Sequence, residues 1–239
     1  MKITKDQLKG WGAFRDGYEW FLRRFPEGEA EYQDVLNSLA DDDRPSDADW
    51  LMNHAGPDEH AVIEVEAISN CKHFFAAGHL VIKTKATVAR RLRAGTGIEA
   101  GWGIKAGDGI EAGDGIKAGE CIKAGTVIKA GECIEAGTGI EAGWGIKAGT
   151  GIKAGTGIKA GECIKAGTVI KAGECIEAGW GIEAGDGIKA GDGFGIFAGL
   201  RLRLADWTLY AKVIAKAKPD NLVSGSWVEQ AAEANKEAA

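Results

Sequence analysis

Four histidines and five cysteines are the residues of this 239-residue chain that could carry out nucleophilic, acid–base or metal chemistry. His54, His60, His73 and His79 fall within one short stretch. An imidazole there could serve as a general base, and three converging imidazoles would make a zinc site. His73 and His79 are spaced to approach a common metal, but ordinary polar or capping roles are the expectation. No catalytic residue, metal or cofactor is therefore assigned. The cysteines are odd in number, and no two stand as Cys-x-x-Cys, so neither a zinc motif nor a redox motif is written. Cys121, Cys133, Cys163 and Cys175 read as packing thiols, reduced in a cytoplasmic protein. The glycine-rich text has no Gly-Lys-Ser/Thr ending, and its glycines are periodic, which suits corners better than a phosphate loop.

Charge narrows the partners. The formal net charge of −6 is too modest to advertise nucleic-acid binding. Lys83, Lys85, Arg90, Arg91 and Arg93 form a short basic segment, read as a solvated cap surface. Between residues 94 and 193 fourteen acidic and ten basic residues are mixed along the coils, so dense-acid mimicry of DNA is a poor fit. The N-terminus, Met1 to Asp6, carries no apolar run of a secretory signal. No stretch approaches the ~20 apolar residues that span a bilayer. The expectation is a cytoplasmic protein without membrane, nucleic-acid or small-molecule partners, open to a protein partner or to self-association.

What must position any site is an internal repeat. Isoleucine recurs every six residues from Ile98 to Ile188, sixteen times, each opening the unit Ile-(Lys/Glu)-Ala-Gly-x-(Gly/Cys/Val). On a helix of 3.6 residues per turn such a period spirals around the surface and forms no stripe. A short strand with a tight corner fits: Ile and Ala face inward, Lys or Glu faces water, and Gly turns the corner by accepting positive φ. Gly, Cys or Val before each Ile suggests a crowded or inward-facing corner. The trios Cys121, Val127, Cys133 and Cys163, Val169, Cys175 would then each fill one core layer. Lys117–Gly137 returns almost unchanged as Lys159–Gly179, seven units later. Seven is not a multiple of three, so the sides of a three-sided coil must be interchangeable.

This unit resembles the hexapeptide-repeat proteins over the middle two-fifths of the chain. The resemblance implies a left-handed parallel β-helix with three six-residue sides per coil. The family motif has a small residue two before the aliphatic one, where this chain has Asp, Glu, Thr or Trp. The fold class is thus mainly β, a parallel β-solenoid preceded by a small all-α domain. Residues 1–56 form the helical N-terminal domain, 61–93 irregular first coils, and 94–193 the regular solenoid. Residues 194–217 are C-terminal capping strands, and 218–239 a tail or short helix.

In the first domain, Leu8 to Phe25 reads as one amphipathic helix stopping at Pro26. A second helix carries Tyr32, Val35, Leu36 and Leu39, and a third begins at Ser46 with a capping box to Asp49. Beyond the solenoid, Leu200, Leu202 and Leu204 alternate with Arg201 and Arg203 as in a half-buried strand.

Many hexapeptide-repeat proteins are acyltransferases using a histidine near an extruded loop. Here no loop interrupts residues 98–193 and every histidine precedes them. In a coil of eighteen residues the variable position reads Asp108, Thr126, Trp144, Glu162, Trp180 along one ladder, too mixed for an ice-binding face. Trp102, Trp144 and Trp180 would point outward, the latter two flanking Glu162, and exposed Trp is favoured at binding hot spots. The first expectation is therefore a non-catalytic scaffold that binds a macromolecule or itself, with Trp144, Glu162, Trp180 and Trp102 as candidate contacts. The alternatives are an acyltransferase with its histidine in the 54–79 segment and a purely architectural module.

Overall fold

In each repeat, three extended residues alternate in, out, in: Ile98 and Ala100 are buried while Glu99 is exposed, and the pattern runs unbroken to Ile182 and Ala184. The computed structural model describes residues 1–230. Its rod is a parallel solenoid of about nine turns over residues 62–229. Every strand of the regular coils pairs with the strand eighteen residues away, as in Ile98↔Ile116↔Ile134↔Ile152. Three units therefore close one coil. An eight-stranded sheet from Val62–Val65 to Gly187–Lys189 forms the first face. The second and third faces are two halves of one larger sheet, joined where the nine-residue strand Ala86–Ala94 bends around an edge. The isoleucines and alanines of all three faces merge into a single core.

Two details of the unit differ from the sequence reading. The glycine after each Ala does not take positive φ. It is required because a Cβ on it would lie almost on the backbone of the coil below: 1.8 Å from the Gly131 carbonyl oxygen for Gly149, and 1.9 Å from that of Gly119 for Gly137. The residue before Ile faces outward, not inward. Cys121, Cys163 and Val169 are exposed, and Cys133, Cys175 and Val127 half-buried. A Cβ at Gly151 meets nothing nearer than 3.5 Å, so side chains fit there without entering the core.

The head folds around Ile3, Leu8, Phe21, Tyr32, Val35, Leu36 and Leu51. The long helix expected from Leu8 to Phe25 is broken at Gly12, whose φ of 75° no helix accommodates. It becomes α1, Lys5–Gly10, capped by a Thr4–Gln7 box, and α2, Arg15–Arg24. Helix α3 spans Tyr32–Asp41 and α4 spans Pro45–Ala55. The Ser46–Asp49 box does not form. Pro45 starts α4 without a side-chain cap, and Asp49 is spent on the rod instead. Lys2–Thr4 and Glu29–Glu31 add a two-stranded antiparallel ribbon.

Phe75 and Ala77, from the first coils, are buried in the head's core, so head and rod share packing. Gln33 of α3 acts as a surrogate peptide at the rod's first strand edge. Its Nε2 donates to the Phe75 carbonyl at 2.7 Å, and its Oε1 accepts from the Ala77 N–H at 2.9 Å.

At the far end, Phe194 and Ile196 break the period, as expected. The Leu/Arg alternation at 200–204 is not a strand: Gly199 turns the chain at φ 81°, and Leu204–Tyr210 forms a helix, α5. Strand structure resumes at Lys212–Ala215 and continues into the expected tail as Leu222–Ser224 and Ser226–Glu229, which extend the second and third faces. The expected helix or tail at Ala231–Ala239 lies outside the described residues.

The glycine contacts make a paired test. Gly149→Ala should cost roughly 1–3 kcal/mol or more through backbone displacement, whereas Gly151→Ala should change stability by less than ~0.5 kcal/mol. Chemical denaturation of both variants checks this, and equal stabilities would contradict the packing account.

Candidate functional site

The edge between the second and third faces carries a backbone ladder from Asp108 through Thr126, Trp144 and Glu162 to Trp180. The Glu162 N–H donates to the Trp144 carbonyl at 2.6 Å, and the Trp180 N–H to that of Glu162 at 2.9 Å. Trp144 and Trp180 thus stand two coils apart, about 9.6 Å at the usual strand spacing, with one carboxylate between them. Trp144 is 58 % exposed and Trp180 42 %. Trp102 is also exposed, but it stands on a different edge, between Thr84 and Glu120 in the ladder of the first and second faces. The structure therefore groups three of the four candidate residues and separates the fourth.

The sequence reading missed what α5 adds to this edge. The chain returns there because the Gly199 N–H donates to the Trp180 carbonyl at 2.7 Å, and Arg201 packs over Gly161 and Gly179. Tyr210 then tilts against Trp180, ring centroids 6.1 Å apart. No residue of α5 is buried: Leu204, Leu209 and Tyr210 are all exposed, as is Leu200 just before it. Exposed apolar side chains gathered on and beside one short helix, with Tyr210 against an exposed Trp, are a feature of interaction surfaces. The signal was present in Leu204 and Trp207 at helical spacing, but the Leu/Arg alternation immediately before it pointed the other way.

The histidines are engaged locally. His54 Nδ1 lies 2.8 Å from the Trp50 carbonyl, and its ring stacks on Trp50 at 4.2 Å. His73 is buried, stacked on Phe75, with Nε2 2.9 Å from Asp43 Oδ1; its Nδ1 has no partner among the described residues. His79 lies half-buried across Gly97, 3.9 Å from Glu99. His60 is exposed. Among the described residues no group of three His, Cys, Asp or Glu side chains could hold a metal ion. The grooves under the head (Met52, Pro57, Arg93, Glu111, Lys129) and at the last coil (Lys189, Asp192, Pro219, Asn221) contain no histidine. Burial, and then Glu135, push the Cys133 thiol up; burial and Glu177 do the same for Cys175, which keeps both in the unreactive form.

The basic segment, expected to be a solvated cap surface, is exposed at Lys83, Lys85 and Arg90, but Arg91 and Arg93 form part of the seam between rod and head. Arg91 and Arg93 both donate to Asp49 of α4, Arg93 also reaches Asn53, and Arg90 faces Asp108 at 3.7 Å. Asp43, held at φ 55° after α3, adds two contacts, accepting from Lys72 at 2.8 Å and lying against His73.

Residues 1–55 match the family model of the YdhT N-terminal domain, so the head is similar to that domain. No curated protein and no solved structure matches the chain. The family match ends where the solenoid begins, and none to a hexapeptide-repeat family accompanies it. No helix among the described residues is long and apolar enough to cross a membrane.

Hydrogen bonds from Lys72 and then His73 hold the Asp43 carboxyl below the usual carboxylate range. A depressed folded-state value gives stability that is complete above the unfolded value and lost as pH falls through the folded one. Protonating Asp43 below about pH 4 should therefore loosen the seam. Asp43→Asn should remove that part of the acid dependence, read by hydrogen exchange at the Phe75 and Ala77 amides between pH 3 and 6. An unchanged profile would remove Asp43 from the seam.

Proposed function

We propose that this chain is a non-catalytic binding module. A head and a rigid β-solenoid together present the Trp144–Glu162–Trp180 edge, extended by Tyr210 and the exposed leucines of α5, to a protein partner. The observation that carries this reading is the exposure of two ladder-aligned tryptophans beside an unburied apolar helix. Large aromatic side chains cost free energy when left in water, and at protein interfaces they are the residues whose removal is felt most. The rod supplies the other requirement. Its strands hold the edge in fixed register, so little ordering cost remains for the partner to meet.

A non-catalytic role is further supported by the histidines, each stacked, paired or lying open on the surface rather than set into one of the grooves. The six-residue strand-and-corner unit and three-sided coil support kinship with the left-handed hexapeptide-repeat architecture. Free thiols at all five cysteines support a reducing, cytoplasmic setting.

The test uses the partner recovered with the intact chain from its native cells. Trp144→Ala with Trp180→Ala should weaken that complex by at least 2 kcal/mol, a hot-spot effect, while leaving the melting transition in place. Trp102→Ala should leave binding unchanged. Full binding by the double variant, measured by titration calorimetry, would overturn the reading.

A further inference from the structure

A different edge, between the third and first faces, carries charges in a segregated order. Its corner ladder runs Thr96, Asp114, Glu132, Thr150, Thr168, Asp186. Beside it on the third face stand Arg93, Glu111, Lys129, Lys147, Lys165 and Glu183. On the first face stand Glu99, Lys117, Glu135, Lys153, Lys171 and Lys189. The half nearer the head is therefore net acidic, with Glu99, Glu111, Asp114, Glu132 and Glu135 against Arg93, Lys117 and Lys129. The half beyond it is net basic, with Lys147, Lys153, Lys165, Lys171 and Lys189 against Glu183 and Asp186, the latter already paired with Lys216 at 2.5 Å. On the second face, beyond the stacked Lys105 and Lys123, neighbouring coils alternate in sign and pair, as in Lys123–Glu141 at 2.7 Å and Lys159–Glu177 at 3.0 Å. Stacking Lys147 on Lys165, and Lys153 on Lys171 and Lys189, gives up that gain.

We infer that two copies of the chain associate side by side and antiparallel through this edge. A two-fold axis passing between the Glu132 and Thr150 layers reverses the rod while keeping third face beside third face and first beside first. It sets Glu135 against Lys153, Glu111 against Lys165 and Glu99 against Lys189, and each contact is made twice. The corner acids Glu132 and Asp114 meet Thr150 and Thr168, hydroxyl donors that are each flanked by two lysines. Arg93 meets Glu183, although both already have partners within the chain, Asp49 and Lys165. Two positions set like against like, Lys129 with Lys147 and Lys117 with Lys171, and each lies next to one of the corner acids.

The second copy fits better than any other polyelectrolyte for two reasons. An anionic polymer would be attracted by one half of the edge and repelled by the other. Only a rod with the same strand repeat, about 4.8 Å, keeps opposite charges in step along the whole length. The groove under the head, lined by Met52, Pro57, Arg93, Glu111 and Lys129, borders the same edge where the partner's last coils would lie.

The experiment is the mass of the full chain in solution by sedimentation equilibrium. At low ionic strength it should be twice that of the monomer. It should fall to the monomer value in about 0.5 M salt, where exposed charges are screened within a few ångströms. Glu99→Lys with Glu111→Lys should weaken the dimer at least tenfold. Adding Lys165→Glu and Lys189→Glu to the same chain should restore it. Glu99 and Lys189 are five coils apart in one molecule, about 24 Å, so such a rescue can pass only between copies. Lys105→Glu, on the second face, should have no effect. A monomer at all concentrations in low salt would overturn the inference. So would a dimer indifferent to these reversals, or one abolished by the paired Trp144 and Trp180 substitutions instead.

Discussion

Each coil turns its edges on glycines that lie against the carbonyl groups one coil below. The space is so tight that a single added carbon would overlap an oxygen, as at Gly125, Gly131 and Gly149. This contact limits the rest of the rod. It lets the corners stack as closely as the strands, so hydrogen bonds run around the turns as well as along the faces: the Gly149 N–H reaches the Ala130 carbonyl, and the Thr150 N–H reaches that of Glu132. With the corners fixed, each side has room for three extended residues. Only the first and third point inward, so the core is built from one large and one small side chain per side. Ile fills the interior and Ala lets the chain bend toward the next corner. The position just before Ile is free of the constraint, which is why it alone accepts Gly, Cys or Val.

How much of this was legible follows from where the information is stored. The eighteen-residue register, the Glu99–Lys117–Glu135–Lys153 ladder and the outward Trp144 and Trp180 could all be read, because a six-residue period repeated sixteen times leaves no competing arrangement. The orientation of the cysteines could not. Small apolar residues occur both in tight interiors and on crowded outer corners, and only the packing distances separate the two. The elements that escaped are those set by single tertiary contacts. Gly12 breaks what periodicity would make one helix, and Asp49 leaves its expected cap to hold Arg91 and Arg93. The alternation of Leu200 to Leu204 loses to a turn pinned on the Trp180 carbonyl.

A stacked sheet also leaves an open edge at each end, and unpaired strand edges invite further pairing. At the N-terminal end the chain meets this with side chains from the head. The Gln33 amide stands in for a missing peptide, Asp43 and Asp49 tie down both long first strands, and Phe75 anchors the hydrophobic contact. These are three different interactions at one seam, and they make the head and the first coils a single packed unit. The arrangement explains why an acidic head sits beside the one arginine-rich segment. It ties Arg91 and Arg93 of that segment to the head, while Lys83, Lys85 and Arg90 stay exposed.

The core's uniformity separates surface from stability. All three sides present the same Ile and Ala to the interior, so a stretch of units can be moved by one side without disturbing packing. The duplicated block shows the consequence: Glu120 stands on the edge with Trp102, while its counterpart Glu162 stands on the next edge between Trp144 and Trp180. The core is indifferent to which edge carries which residue. The pattern of aromatic residues on one edge and segregated charge on another is therefore not a by-product of folding. Interior packing would be satisfied equally well with these outer residues shuffled among the sides. Their arrangement has its physical consequence only at the surface, in what each edge meets there.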